Sequence, residues 1–321
     1  MVIAVIMFIL GLVLLIKGGD WFVDGACGIS RKFHIPELII GATVVSIGTT
    51  LPEVMVSATS AVSGHGEIAY GNAIGSIICN TSLILALTIA IVPSLCNRKA
   101  LVLPVTFFFG AAVFYSLVSY TTGTFSRLVG ILLLLAFVIY MVLVIVQTKK
   151  TPKAPVPEES TSQDQKLGKY FFLLILGAAL IAVGANWLVH YGTIIAEGLG
   201  VPESVIALTF VALGTSLPEL VTAITSLIKK HGALSLGNII GANLFNLVLV
   251  SGLSIALSPF DIPCSKTIGG YNASLVVDIP IMFLVMGIVT IPALIKGKLS
   301  RWQGITLLVI YAAFCCFQFI S

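Results

Sequence analysis

The sequence predicts an all-α, polytopic membrane protein with ten transmembrane helices, arranged as two five-helix repeats of inverted topology. Three observations predict this fold: the composition, the number of long apolar segments and an internal repeat. Of the 321 residues, 58% are hydrophobic and only 9% are charged, and the mean hydropathy is +1.12. Because soluble domains carry about 25% charged residues, we expect the chain to lie in a lipid bilayer.

The apolar segments set the number of helices. A membrane-spanning helix needs roughly 20 mostly apolar residues, and ten segments meet this requirement. They are residues 3–24, 36–62, 68–93, 100–120, 127–147, 169–193, 203–228, 233–257, 271–295 and 301–320. The long polar connector KKTPKAPVPEESTSQDQKLGK is rich in Pro, Ser and charge, as linkers are. It divides the chain into a first half, residues 1–148, a linker, residues 149–168, and a second half, residues 169–321.

The basic residues predict the orientation. If the amino terminus lies outside, all of the 17 Lys and Arg residues except Lys17, Arg127 and Lys266 fall in inner loops. Basic loops stay on the cytoplasmic side during insertion. We therefore expect a plasma-membrane protein with both termini outside and a cytoplasmic linker. These charges are topology signals and predict no nucleic-acid surface. The oligomeric state is left open, with a monomer as the working expectation.

No motif indicates a bound cofactor or an enzyme. The six cysteines show no CxxC pair and no zinc-binding spacing, so they are predicted to be small packing residues. The sequence also lacks HExxH and GxGD motifs and has no Ser/His pair at membrane depth. We therefore expect no enzyme activity and no cofactor.

The internal repeat has an offset of 166 residues. Glu53 lies in GTTLPEV and Glu219 in GTSLPEL. The same offset relates Gly11 to Gly177, Gly18 to Gly184, Trp21 to Trp187, Pro36 to Pro202, His65 to His231, Asn72 to Asn238 and Asn80 to Asn246. Because five is an odd number of spans, the second half must enter the membrane inverted. Inverted repeats are typical of transporters, with the site near the midplane on interrupted helices.

Each GT[TS]LPE motif is predicted to interrupt a helix and to bind a cation. A carboxylate at the bilayer centre costs roughly 2.5–3.5 kcal/mol, and no Lys or Arg lies at comparable depth. Pro52 removes a backbone donor and frees carbonyls, while Gly48 makes local unwinding easy. Thr49 and Glu53 lie on one helix face, and Thr215, Pro218 and Glu219 repeat the arrangement. Clustered hard oxygens suit Ca²⁺ or Na⁺ rather than zinc or copper.

A polar stripe follows each motif. Its residues are Asn72, Ser76 and Asn80 in the first half, and Asn238, Ala242 and Asn246 in the second. We predict that Asn80 and Asn246 lie at equal depth, where their amide groups could bind the cation or the glutamates. The adjacent glycines are interpreted as helix-packing residues.

The segments GATVVSIGTTLPEVMVSATSA…GNAIGSIICN and ALTFVALGTSLPELVTAITSL…GNIIGANLFN resemble the two α-repeats of the cation/Ca²⁺ antiporter superfamily. The compact prokaryotic sodium/calcium exchangers are the branch that the chain resembles over essentially its whole length. The resemblance implies Na⁺/Ca²⁺ antiport by alternating access, with the first and sixth spans sliding across an eight-helix core. It implies that Ca²⁺ is held by Glu53, Glu219 and the backbone carbonyls of Thr49 and Thr215. The further Na⁺ ligands that it implies are Thr50, Ser216, Ser76 and the carbonyls of Ser46 and Ala212, with Asn80 and Asn246 flanking the centre.

Two departures from the family pattern bear on the Na⁺ sites. Ala242 stands where relatives often have a serine that mirrors Ser76, and Asn246 stands where potassium-dependent members have aspartate. The second departure argues against K⁺ co-transport. Two other functions stay open on the sequence alone: an H⁺/Ca²⁺ antiporter of the same fold, in which protons on the glutamates replace Na⁺, and a cation channel.

Overall fold

A computed structural model of the chain describes residues 2–150, 167–199, 214–264 and 267–320. These residues form ten helices. They are α1 Val2–Phe33, α2 Glu37–Val62, α3 Gly66–Ile91, α4 Arg98–Thr121, α5 Arg127–Lys150, α6 Leu167–Gly198, α7 Leu217–Ile228, α8 Gly232–Leu257, α9 Ser274–Lys296 and α10 Arg301–Ile320. Eight of them, α1–α6, α8 and α9, are long and apolar enough to cross a membrane.

The helices follow the predicted spans, and the largest differences lie at the end of α1 and the start of α7. α1 continues to Phe33, beyond its predicted end at residue 24. The predicted span is shorter because it follows the apolar residues, and the helix extends past them. Pro36 then restricts the backbone before α2. α7 begins at Leu217, within the predicted span 203–228, and residues 203–213 of that span lie outside the described residues.

The helix α1 packs along α6 through glycines of both halves. A Cβ atom added to Gly18 would lie 2.9 Å from the carbonyl oxygen of Gly177, and one added to Gly11 would lie 3.1 Å from that of Gly184. Residue numbers rise along α1 as they fall along α6, so the two helices run antiparallel. Since the offset of 166 relates Gly11 to Gly177 and Gly18 to Gly184, exchange of the two halves converts one of these contacts into the other.

Two hydrophobic clusters divide the described helices into a pair and a core. The larger cluster contains buried residues of α2–α5 and α7–α10, among them Phe108, Tyr115 and Phe245, and none of its buried members comes from α1 or α6. The smaller cluster joins α1 and α6 to buried residues of α2 and α8, such as Ile40 and Leu234. The α1–α6 pair therefore packs against the other helices through this smaller cluster.

Short antiparallel strands connect the loops between the helices. β1 Ser94–Leu95 pairs with β6 Lys298–Leu299, with Ser94 opposite Leu299. β2 Thr124–Phe125 pairs with β3 Phe260–Asp261, with Thr124 opposite Asp261. The local hairpin of β4 Thr267–Ile268 and β5 Tyr271–Asn272 precedes α9. Exchange of the two halves converts the β1–β6 contact into the β2–β3 contact, because the α3–α4 and α4–α5 loops correspond to the α8–α9 and α9–α10 loops.

Within the described ranges, wide π-helical turns interrupt the regular hydrogen bonding of four helices. They lie at Gly41–Val45 in α2, Asn80–Leu85 in α3, Asn246–Val250 in α8 and Ser274–Asp278 in α9. The prediction of an unwound helix at Gly48 is wrong for the first half, because α2 stays helical from Ser46 to Val62 with Pro52 inside it. The irregular segment of α2 lies one to two turns earlier, in the π turn. In the second half, the turn at Thr215 and Ser216 does interrupt the helix.

Candidate ion-binding site

The centre of the core contains the two glutamates of the repeated motifs. Glu53 lies in α2 beside Pro52, and Glu219 lies in the first turn of α7 beside Pro218. Both side chains are fully buried, at 0% exposure. Glu219 lies close enough to Glu53 for the two carboxylates to repel each other when both are charged. The helices that the repeat relates therefore bring both carboxylates to one buried place.

These carboxylates are without protein counter-ions in the described part of the chain. None of their four oxygen atoms has a hydrogen-bond partner there. The ion pairs formed by the described residues involve the acidic residues Asp20, Asp24 and Glu37 instead. The amino terminus of α7 lies next to Glu219, and its partial positive charge favours an anion. A charge that is buried without a partner is costly, so the pair is suited to a cation.

Asn80 and Asn246 lie at equivalent places in the core, on turns that contact the helices of the glutamates. Each is the first residue of a π turn, and both side chains are 0% exposed. Among the described residues, neither side-chain amide has a hydrogen-bond partner. The α2 helix contacts the turn at Asn246, and α7 contacts the turn at Asn80. Single π turns frequently occur at functional sites, and here they place two free amide groups in the core.

Threonine–asparagine hydrogen bonds tie the two halves together. The Thr49 hydroxyl donates to Asn238 Oδ1 at 3.2 Å, and the Thr215 hydroxyl donates to Asn72 Oδ1 at 3.3 Å. The offset of 166 converts one bond into the other. Each bond fixes the motif of one half against the polar stripe of the other half. The sequence places Asn72 and Asn238 in the stripes but does not reveal these partners.

The side-chain amide nitrogens of Asn72 and Asn238 do not follow the symmetry of the repeat. Asn72 Nδ2 donates to the Ser57 hydroxyl at 2.8 Å and to the Glu53 carbonyl at 3.3 Å. Asn238 Nδ2 is buried without a partner among the described residues. Ala223 stands 166 residues after Ser57, so the second half lacks the hydroxyl that Asn72 uses.

The other predicted ligands differ in how they are engaged. The Ser46 hydroxyl donates to the carbonyl of Gly41 at 2.7 Å and to that of Asn238 at 2.9 Å, so it packs α2 against α8. Thr50 is 0% exposed, and its hydroxyl has no partner in the described ranges. Ser76 and Ser216 are buried as well. Ala212 lies outside the described residues.

The free oxygen atoms suffice in number for a hard cation. The glutamates supply four, Asn80 and Asn246 supply one each, and Thr50 supplies one, so that seven buried oxygens have no hydrogen-bond partner among the described residues. Ca²⁺ takes 6–8 oxygen ligands in flexible geometry. Among the described residues, no cysteine or histidine side chain belongs to this group of unpartnered buried atoms. Oxygen atoms of this kind suit Ca²⁺ or Na⁺ rather than a softer metal ion.

Comparisons with known proteins agree with this chemistry. A sequence profile of the sodium/calcium exchanger protein family matches residues 3–146 and 169–320. The chain is 34% identical over 313 residues to the uncharacterized membrane protein MJ0091 of Methanocaldococcus jannaschii, covering 95% of this chain and 94% of that protein. It is 29% identical over 350 residues to the sodium/calcium exchanger MaX1 of Methanosarcina acetivorans, covering 96% of each. A solved structure of the sodium-calcium exchanger NCX_Mj, soaked with Na⁺ and Sr²⁺, matches with a TM-score of 0.81 and 31% identity over 97% of each chain.

Proposed function

Because this chain belongs to the sodium/calcium exchanger protein family, we propose that it exchanges Na⁺ for Ca²⁺ across the membrane and holds Ca²⁺ between Glu53 and Glu219. The observation that carries the proposal is the pair of fully buried carboxylates without a counter-ion among the described residues. Their two negative charges match the charge of one Ca²⁺. Asn80, Asn246 and Thr50 supply neutral oxygens around them.

Competition for the same oxygens couples the two ions. If Na⁺ ions use the carboxylates that Ca²⁺ uses, the two cannot occupy the centre together. An empty centre would carry two unpaired charges in a low-dielectric interior, which is strongly unfavourable. The site therefore switches its access from one side of the membrane to the other only when a bound ion neutralises the carboxylates. This requirement prevents either ion from crossing without exchange for the other. Ser76, Ser216 and the carbonyls of Ser46, Thr49, Thr215 and Ala212 complete the proposed Na⁺ and Ca²⁺ ligands.

We infer that the α1–α6 pair moves against the other eight helices to expose the centre to each side in turn. The lack of α1 and α6 residues among the described buried members of the larger cluster supports the proposal, as do the glycines that let the backbones of these two helices approach closely. The glycine contacts and the strand pairs that exchange of the two halves converts into one another support an arrangement of ten helices as two inverted repeats. We place both termini outside the plasma membrane and the linker of residues 149–168 in the cytoplasm.

Radioactive Ca²⁺ uptake into proteoliposomes tests the proposed exchange. Vesicles loaded with Na⁺ and diluted into Na⁺-free medium should accumulate Ca²⁺, and an ionophore that dissipates the Na⁺ gradient should abolish the uptake. Protein-free vesicles are the control. Uptake that follows an imposed pH gradient and ignores Na⁺ would contradict Na⁺ coupling and support H⁺/Ca²⁺ exchange. Uptake that equilibrates Ca²⁺ without either gradient would indicate a channel.

A further inference from the structure

A second group of possible metal ligands lies at one end of the helix bundle, apart from the glutamates. It consists of Cys27 in α1, Glu37 at the start of α2 and His231 immediately before α8. One ligand atom from each, the thiol sulfur, a carboxylate oxygen and an imidazole nitrogen, lies within 4.8 Å of the others. His231 Nδ1 and Glu37 Oε1 are 2.8 Å apart. We call this group the Cys–Glu–His cluster.

The backbone holds these three residues in place. Pro36 fixes the entry into α2 just before Glu37. The His231 backbone N–H donates to the Ser226 carbonyl at 2.7 Å, and its own carbonyl accepts from Leu234 N at 3.0 Å. Cys27 is 1% exposed within α1. The cluster is thus assembled from three well-anchored segments before any ion arrives.

Water can reach the cluster from one side. The His231 and Glu37 side chains are 25% and 28% exposed, while the Cys27 thiol closes the buried side. An ion could enter through the exposed imidazole and carboxylate, and a water molecule could occupy the remaining coordination position. Three protein ligands and an open fourth position are an established arrangement for zinc.

We propose that the Cys–Glu–His cluster binds a transition-metal ion of the Zn²⁺ or Cd²⁺ class. Thiolate and imidazole select such ions over Ca²⁺ and Na⁺, which prefer oxygen ligands. Zinc bonds of about 2.0–2.3 Å in a tetrahedron separate neighbouring ligand atoms by roughly 3.4–3.6 Å. The three atoms already lie within 4.8 Å of one another, so the His231–Glu37 contact must widen, and the separations from the Cys27 sulfur need to change by no more than about 1 Å. Thiolate, carboxylate and a divalent cation sum to zero charge, which suits a partly buried place.

The repeat makes this cluster specific to one end of the bundle. The offset of 166 relates His65 to His231 and Glu37 to Glu203, but it places Thr193 opposite Cys27. The second half therefore has no thiol at the equivalent position of its sequence. With the proposed orientation, the cluster faces the cytoplasm.

A bound ion would connect the α1–α6 pair to the core. Cys27 belongs to α1, whereas Glu37 and His231 belong to the core side. An ion pair already bridges the same gap, since Lys229 Nζ lies 2.8 Å from Asp24 Oδ1. The metal would add a stronger and reversible connection. On the proposed exchange function, cytoplasmic Zn²⁺ would then slow transport by holding α1 against the core; the binding itself does not depend on that function.

Cd²⁺ titration of the purified full-length protein tests the site. The exposed thiols of Cys264 and Cys316 are replaced by serine in all samples, and excess Ca²⁺ is present to occupy the central glutamates. We expect one equivalent of Cd²⁺ to produce the ultraviolet charge-transfer band of a cadmium–thiolate bond. Cys27→Ser should remove the band, and His231→Gln should weaken Cd²⁺ binding by at least about 10-fold.

Matched variants separate the site from a general effect. His65→Gln changes the histidine that the repeat relates to His231, and Cys79→Ser removes a different buried thiol; both should keep the band. A band that persists in Cys27→Ser, or that never forms although the protein is folded by size-exclusion chromatography, would overturn the proposal. If Cys27→Ser does not fold, the comparison of His231→Gln with His65→Gln decides the same question.

Transport measurements test separately whether a bound metal ion connects α1 to the core. Zn²⁺ on the side that the cluster faces should slow Na⁺-driven Ca²⁺ uptake, and Cys27→Ser should keep its basal uptake while losing this inhibition. Equal inhibition of both proteins would contradict a connection through Cys27. Because Cd²⁺ binding is read without transport, a failure of the proposed exchange leaves the metal-site result intact.

Discussion

Replacing one central glutamate should weaken Ca²⁺ binding strongly without destabilising the ion-free protein. We consider Glu53→Gln and Glu219→Gln, each made alone. Both side chains are 0% exposed, and glutamine has nearly the same size and shape. It removes a charge that has no counter-ion among the described residues, so the ion-free variants should be as stable as the wild type or more stable.

The expected loss of affinity follows from the burial of the site. Removing one partner of a fully buried charge pair costs about 3–5 kcal/mol. At 1.36 kcal/mol per factor of ten, the dissociation constant for Ca²⁺ should rise roughly 150- to 5,000-fold. At a Ca²⁺ concentration 100 times the wild-type constant, bound ion stabilises the wild type by about 2.7 kcal/mol. The same concentration should stabilise either variant by about 0.3 kcal/mol or less.

Thermal unfolding of the purified proteins with and without Ca²⁺ measures this difference, and calorimetric titration supplies the constants. Glu67→Gln is the matched control, because Glu67 is exposed at the start of α3 and should keep the full Ca²⁺ effect. A Ca²⁺-dependent stabilisation of wild-type size in Glu53→Gln or Glu219→Gln would refute the assignment of that carboxylate. A large loss of stability without ions would show that the carboxylate has a structural partner instead.

Three further results are expected. Na⁺-driven Ca²⁺ uptake should respond to a membrane potential clamped with K⁺ and valinomycin, because the family resemblance implies that more Na⁺ charge than Ca²⁺ charge is moved; indifference to the potential would mean electroneutral exchange. Ala242→Ser should lower the Na⁺ concentration that half-inhibits Ca²⁺ binding several-fold, as expected for one neutral ligand contributing about 1 kcal/mol; an unchanged or higher value would mean that Ala242 does not border a Na⁺ site. Ser57→Ala should reduce the free energy of unfolding by about 1 kcal/mol, because Asn72 loses its 2.8 Å hydrogen-bond partner, whereas Ala223→Ser should raise it by giving Asn238 the missing hydroxyl. Chemical denaturation measures both variants, and equal stability of Ser57→Ala and the wild type would contradict the role of that hydrogen bond.

The central residues could be predicted because burying a charge is costly. Glu53 and Glu219 stand out in apolar spans, and the repeat then points to Asn80 and Asn246. The π turns that begin at these asparagines could not be predicted, because one extra residue in a turn hardly alters a hydropathy pattern. The expected unwinding at Gly48 was wrong for a related reason: the sequence shows that Pro52 removes a donor, but packing decides where the helix adjusts.

The Cys–Glu–His cluster illustrates a different limit. Its residues are 10 and 194 positions apart along the chain, so no spacing rule brings them together. The cysteines were interpreted as packing residues because no zinc-binding spacing is present. Only the contact of α1 with the core places Cys27 beside Glu37 and His231. Residues that meet through tertiary packing alone leave no local pattern to read.

The lengths of α1 and α6 connect the protein to the dimensions of its membrane. Each has 32 residues, which at 1.5 Å per residue is about 48 Å. The hydrocarbon layer is about 30 Å thick, and the whole bilayer with its headgroups is about 40–45 Å. A helix of this length must tilt by roughly 20–35° or project into water. Packing against the neighbouring helices fixes the tilt of the pair, so a change in lipid chain length would alter the match between these long helices and the bilayer. Such a change would affect the proposed sliding motion without any ligand binding to the protein.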